Sequence, residues 1–205
     1  MTITTNCNNN DPSEPRIILA SASPRRREIM NSHGIDVRVM PTDTDESLPD
    51  GIGMEAAVET LSARKAKACF DSLRPEDDTA GCLIIAADTI VWKDEIMGKP
   101  EDHDDAYRML DKIRGTFHYV VTGVTLIDTD TGAVTTLSDV TKVWCKAYTD
   151  EDIYDYISRE EPYDKAGSYA IQGYFGRYID HIEGDYENVV GLPYYRIADM
   201  IARYE

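Results

Sequence analysis

Two adjacent arginines, Arg25 and Arg26, stand directly behind the apolar run Ile17-Ile18-Leu19-Ala20 and the group Ser21-Ala22-Ser23-Pro24. A short apolar run that stops at S-x-S-P reads as a buried strand feeding a helix, with Ser23 as N-cap and Pro24 at the first helical position. That reading sets both arginines in the first turn, where backbone N–H groups lack partners and the macrodipole is positive. A cation there costs about 0.3–1 kcal/mol, so an otherwise well-made helix start carries two misplaced charges. A bound anion removes the conflict: free N–H groups, two guanidinium forks and the Ser21 and Ser23 hydroxyls together make a polyphosphate site. The competing reading is that the arginines are solvated or pair with Asp43 and Asp45.

A second group centres on Asp88. The run Leu83-Ile84-Ile85-Ala86-Ala87 breaks at Asp88-Thr89, which predicts a carboxylate at the end of a buried strand, where α/β sheets build their sites. Hydrolysis at phosphorus needs a group that orients and deprotonates water and a metal that neutralises phosphate charge. Asp88 can supply either function. Asp45 and Glu46, in an acidic loop over 41–53, can complete an oxygen-ligand set for Mg²⁺ or Mn²⁺; a solvated loop is the alternative, as a hairpin-capping turn is for Asp88. Lys65 and Lys67 in ARKAKA and Lys99 in MGKP are further cations able to reach phosphate, although a helical lysine is ordinarily solvated. The four histidines show no metal-ligand spacing, and His118 reads as structural.

The elements that must position these groups follow from periodicity and punctuation. Strands are expected at 17–20, 36–40, 82–92, 117–128 and 134–148, the last two joined by the hairpin signal Thr129-Asp130-Thr131-Gly132. Helices are expected from Pro24 to a stop at Gly34 and over 54–73, 104–113, 150–158 and 193–204. The β-α-β-α start and the chain length of 205 residues suit one α/β domain with a cleft.

Composition narrows the function classes. The 38 acidic and 21 basic side chains give a net charge of -17, which repels a phosphodiester polymer, so no nucleic acid partner is expected. No apolar run approaches the roughly 20 residues of a membrane helix, so no membrane partner is expected. Cys7, Cys69, Cys82 and Cys145 form no CxxC pair; free thiols in a reducing, cytoplasmic compartment are the expectation. Residues 1–15 are polar, without the apolar core of a signal peptide, and read as a disordered tail before a domain over 16–205.

Taken in order, LASASPRRREI, TDTDES, KAKA, AADTIVW, MGKP, RGTFHYVVTGV, DKAGSYAIQG and VVGLP resemble the Maf family of nucleotide pyrophosphatases over about residues 16–205. The resemblance implies a two-lobed α/β fold with a mixed sheet and a central nucleotide-binding cleft, similar to the inosine triphosphate pyrophosphatases, and a homodimer. It implies divalent-metal-dependent hydrolysis of a nucleoside triphosphate to the monophosphate and pyrophosphate, with Asp88 as proton acceptor and Ser21, Arg25, Arg26, Glu46, Lys65 and Lys99 handling phosphate and metal. Arg25, Thr89 and Gln172 match the branch acting on dTTP and UTP, whereas the branch preferring 7-methyl-GTP carries Trp in place of Arg25. An amide such as Gln172 offers a donor and an acceptor to a base edge; a turn residue bonding local backbone is its other reading. The alternative function is a non-catalytic nucleotide-binding regulator of cell division.

Overall fold

The computed structural model describes residues 15–204 except 75, 76 and 78, so nearly all of the expected tail lies outside the described residues. In chain order the strands are β1 (Ile17–Leu19), β2 (Arg38–Val39), β3 (Leu83–Trp92), β4 (Ile96–Met97), β5 (Phe117–Asp128), β6 (Val134–Cys145) and β7 (Ile179–Glu183). The helices are α1 (Pro24–Ser32), α2 (Met54–Ser72), α3 (His103–Ile113), α4 (Asp150–Ile157), α5 (Tyr186–Val190) and α6 (Ala198–Ile201). One mixed sheet runs β2-β1-β3-β5-β6-β7, with β4 on β3. Both contacts of β1 are parallel, and every other pairing is antiparallel. Among the described residues no helix is long and apolar enough to cross a membrane.

The strand carrying Asp88 does not end there. Thr89-Ile90-Val91-Trp92 are β-branched or aromatic, and β5 pairs with β3 from Leu83↔Asp128 to Trp92↔Tyr119. What ends is the parallel partner: β1 matches β3 from Ile17↔Leu83 to Leu19↔Ile85, closed by the Ala20 N–H donating to Ile85 O at 2.8 Å. On the same edge β4 rejoins only at Val91↔Met97. Residues 86–90 therefore form a gap between two edge strands, and the site opens through it.

Alternation then sorts the side chains by face. Ile84 and Ala86 pack with Ala66 and Cys69 of α2, and Ile90 with Ala57 and Val58. Leu83, Ile85 and Ala87 pack with Ile29 and Met30 of α1 and with Leu192, Ile197 and Ile201. By parity Asp88 belongs to the α2 face and Thr89 to the α1 face.

Gly123 lies opposite Asp88 on β5, and α2 approaches so closely that a Cβ there would stand 2.4 Å from the Val58 carbonyl oxygen. One helical turn on, Ser62 Oγ and Thr125 Oγ1 share a buried hydrogen bond of 2.9 Å. The same stripe of α2 next presents Lys65, which is how the helix delivers an ammonium to the Asp88 gap. Gly123→Ala is expected to lower stability by about 1–3 kcal/mol, since backbone rather than a flexible side chain must give way. Urea denaturation beside an activity assay would check this, and an unchanged midpoint would contradict the close approach.

A second lobe is built from α3, α4 and 3₁₀ turns at Glu161–Asp164, Ala166–Ser168 and Tyr174–Tyr178. Its core joins Tyr148, Tyr156, Tyr169 and Phe175 to Val91, Val120 and Val143 of the sheet. Several local expectations change. The second strand is shorter than 36–40, and the predicted helix over 193–204 is a 3₁₀ turn at Tyr194–Arg196 followed by α6. That segment bends so that Leu192, Ile197 and Ile201 all enter the α1-side core. Ser23 occupies the N-cap of α1 but makes no side-chain cap; Ser21 Oγ accepts the Ser23 N–H instead, at 3.2 Å.

Candidate active site

A cavity of about 590 Å³ opens between the lobes at the β3 gap. Ser23, Arg25 and Arg26 of the α1 start, Glu46 of the acidic loop, Lys65 of α2, Asp88 and Thr89 of β3, and Lys99 of the MGKP loop all reach its wall. The two groups read from the sequence thus share one space. The remaining wall is largely apolar, with Ile90, Val91, Met97, Val120, Tyr169 and Val190.

Arg26 is the most constrained of these residues. Its Nε donates to Gly191 O at 2.8 Å, Nη1 to Ser21 Oγ at 3.0 Å and Nη2 to Thr89 Oγ1 at 3.1 Å. Burial pulls its pKa down, opposed by the charge of Asp88, with Arg25 adding to the fall; a guanidinium remains charged regardless. Three of its five N–H bonds are spent on the protein, leaving one on each terminal nitrogen for a ligand. The proton order along the next bonds is fixed. Thr122 Oγ1 donates to Asn188 O at 2.9 Å, so Thr89 Oγ1 must donate to Thr122 Oγ1 across their 2.9 Å contact while accepting from Arg26. The hydroxyl hydrogens of Thr89 and Thr122 are thereby committed, and both Ser21 and Thr89 act by aiming Arg26.

On the α2 face, Lys65 Nζ bridges Asp88 Oδ1 and Glu46 Oε1, the latter at 2.8 Å. Burial draws the Lys65 pKa down, but Asp88 and then Glu46 outweigh it and the net direction is up. Glu46 is held below the usual carboxylate range, chiefly by its hydrogen bond from Lys65 against a smaller burial effect, with the charges of Lys65 and Lys99 helping. The Glu46–Lys65 pair consequently keeps its charges from below the ordinary glutamate range to above the ordinary lysine range.

The loop geometry separates Asp45 from Glu46. Asp45 turns back on its own backbone, accepting from the Ser47 N–H at 2.9 Å and the Ser47 hydroxyl at 2.7 Å. Arg64 of α2 donates to the carbonyls on either side of Glu46, Asp45 O at 3.0 Å and Ser47 O at 2.6 Å, and so holds the loop with Glu46 facing Lys65. Lys67 pairs along the helix with Asp71 at 2.7 Å on the exposed side and does not reach the cavity.

Gln172 is exposed and does not line the cavity; its neighbours Ala170 and Ile171 do. The partly buried Ile171 packs against the cores of both lobes. Lys165 and Asp164, inside the DKAG stretch, reach the wall although spacing had not singled them out. The cavity then carries five cations, Arg25, Arg26, Lys65, Lys99 and Lys165, against the carboxylates of Glu46, Asp88 and Asp164, a local positive excess in a chain of net charge -17.

His118 is structural, as expected. It is fully buried, and its Nε2 shares a 2.6 Å hydrogen bond with the hydroxyl of Tyr169 behind the cavity wall. Burial, helped by the charge of Lys93, pushes its pKa down to about 3. A histidine depressed on folding takes up a proton more readily when unfolded, so its contribution to stability is complete above about pH 6.5 and falls by about 1.4 kcal/mol per unit below it. Urea midpoints measured between about pH 4 and 7 should therefore fall less steeply in His118→Gln; parallel slopes would contradict the buried neutral ring.

Known proteins are similar to this chain along nearly its whole length. The dTTP/UTP pyrophosphatase of Caldicellulosiruptor bescii is 42% identical, covering 92% of this chain and 94% of that protein. The dTTP/UTP pyrophosphatase of Acetivibrio thermocellus is 42% identical over 91% of this chain and 94% of its own length, and that of Citrifermentans bemidjiense 44% over 90% and 93%. Among solved structures, the Staphylococcus aureus Ham1 protein superposes with a TM-score of 0.45 at 12% identity, over 63% of this chain and 71% of that one. The family pattern described as Maf-like protein matches residues 16–204, and the chain belongs to that family.

Proposed function

We propose that this protein hydrolyses dTTP and UTP between the α and β phosphates, releasing the nucleoside monophosphate and pyrophosphate. The observation that carries the reading is that Asp88, tethered by Lys65, and the half-buried, pre-aimed guanidinium of Arg26 line one cavity at the β3 gap. The names of the relatives, similar along nearly their whole length, supply the substrate class.

Each residue then has a defined task. Arg25, Arg26 and Lys99 draw the triphosphate into the mouth and hold its oxygens. Lys65 occupies Asp88 Oδ1, so Oδ2 is the oxygen that orients a water and receives its proton as the water attacks the α phosphorus in line. Pyrophosphate departs towards the arginines. Glu46 and Asp88 each bond the Lys65 ammonium through one oxygen, and among the described residues no group of three or more His, Cys, Asp or Glu gathers to hold a metal, so a hard divalent ion would be held through the remaining oxygens of these two carboxylates. Substrate oxygens and water would complete the shell. When bound there, Mg²⁺ or Mn²⁺ neutralises charge building on the phosphates.

Cys69 and Cys145 are buried free thiols, which supports a cytoplasmic setting, and a homodimer is proposed on the family resemblance alone. Incubation with dTTP or UTP and Mg²⁺ should release pyrophosphate before orthophosphate. Orthophosphate as first product would mean removal of only the terminal phosphate, and tight nucleotide binding without product would mean a sensor.

A further inference from the structure

We propose that Lys165 is a polyphosphate ligand supplied by the second lobe and that Asp164 holds it in reserve until substrate arrives. The inference rests on the reading of the cavity as a triphosphate site. Arg25, Arg26 and Lys65 approach from α1 and α2, whereas Lys165 comes from the wall that α3 and α4 support, so the anion is gripped from both lobes.

The segment bearing Lys165 is built to aim it. Gly167 donates its N–H to Gly98 O of the MGKP loop at 2.9 Å, fastening the Lys165 strip to the loop that carries Lys99. Gly167 has φ +68, and a Cβ there would stand 2.9 Å from the Val91 side chain. Ser168 follows with φ 62, a left-handed conformation unusual outside glycine, and is fully buried. Two successive left-handed residues turn the chain sharply, which leaves Lys165 and Ala166 at the cavity wall as the chain continues into the buried Tyr169. Non-glycine residues in this region concentrate at functional sites.

The Lys165 side chain is only 18% exposed, and its ammonium is bonded to the carboxylate of Asp164, which is 72% exposed. A partly buried cation whose partner is the solvated residue beside it has a weak hold to give up. A phosphate oxygen offers more charge and better geometry. The hydrogen bond from Lys165, outweighing burial, with the charges of Lys165 and then Arg25 helping, holds the Asp164 carboxyl below the ordinary range, and Arg25 and Asp164 line the same cavity.

Steady-state kinetics of dTTP hydrolysis, with inorganic tripolyphosphate as competitive inhibitor, tests this. Lys165→Ala should raise both KM and the inhibition constant about tenfold, the scale of one hydrogen bond between charged partners, with kcat within about twofold. Lys165→Arg should restore both constants, and Asp164→Asn should lower KM by about threefold, because the ammonium no longer has to leave a carboxylate. Should the wild type release no pyrophosphate, the reading of the cavity fails. Should it release pyrophosphate while Lys165→Ala keeps both constants, the ligand role of Lys165 fails alone, and an unchanged KM in Asp164→Asn overturns the reserve role of Asp164.

Discussion

Asp88→Asn is expected to lose about 10²–10⁴ of its turnover while nucleotide binding persists, the range in which removing a general base falls. The amide keeps the shape of the carboxylate, and its oxygen can still accept from Lys65 Nζ. What it loses is the ability of the second atom to take a proton from water. Because Arg25, Arg26 and Lys99 are untouched, the loss should appear in kcat and leave the affinity for a non-hydrolysable triphosphate within a few-fold. Turnover within tenfold of wild type would remove Asp88 from the role of base.

The second large effect belongs to Arg26. Its guanidinium serves three separate acceptors, Gly191 O, Ser21 Oγ and Thr89 Oγ1; removal takes the donor from Gly191 O and Thr89 Oγ1, while Ser21 Oγ keeps the Ser23 N–H. At about 1 kcal/mol or more each, Arg26→Ala should cost about 2–4 kcal/mol of stability and about 10² or more in kcat/KM. Arg26→Lys should recover little of either, because an ammonium cannot reproduce three in-plane directions. Denaturation in urea and kinetics of both variants check this together. Full rescue by lysine would show that charge alone matters and that the fixed fork does not.

These expectations show which parts of the site were legible in residue types. Local punctuation was the reliable signal: Ser-x-Ser-Pro placed Arg25 and Arg26 at a helix start, and the structure keeps them there. Asp88 was read both as closing a buried run and as lying within a strand expected over 82–92, and β3 continues through it. The distinction depends on where β1 and β4 stop along β3, a long-range pairing that no local pattern encodes. The choice between Asp45 and Glu46 was likewise closed to the sequence, because it turns on Ser47 capturing one carboxylate and on Arg64 gripping the loop from another element. Gln172, which the resemblance implies at the substrate, is exposed and not among the residues lining the cavity, beside the partly buried Ile171. Lys165 was hidden because a lysine beside an aspartate reads as a solvated pair until the Gly167–Gly98 bond shows which way the strip faces.

The chemistry itself rests on water attacking the α phosphorus with Asp88 as acceptor. Hydrolysis of dTTP in ¹⁸O-enriched water, followed by mass spectrometry of both products, addresses this directly. The label should appear in the nucleoside monophosphate and be absent from pyrophosphate. Label recovered in pyrophosphate would mean attack at the β phosphorus, contradicting the role assigned to Asp88.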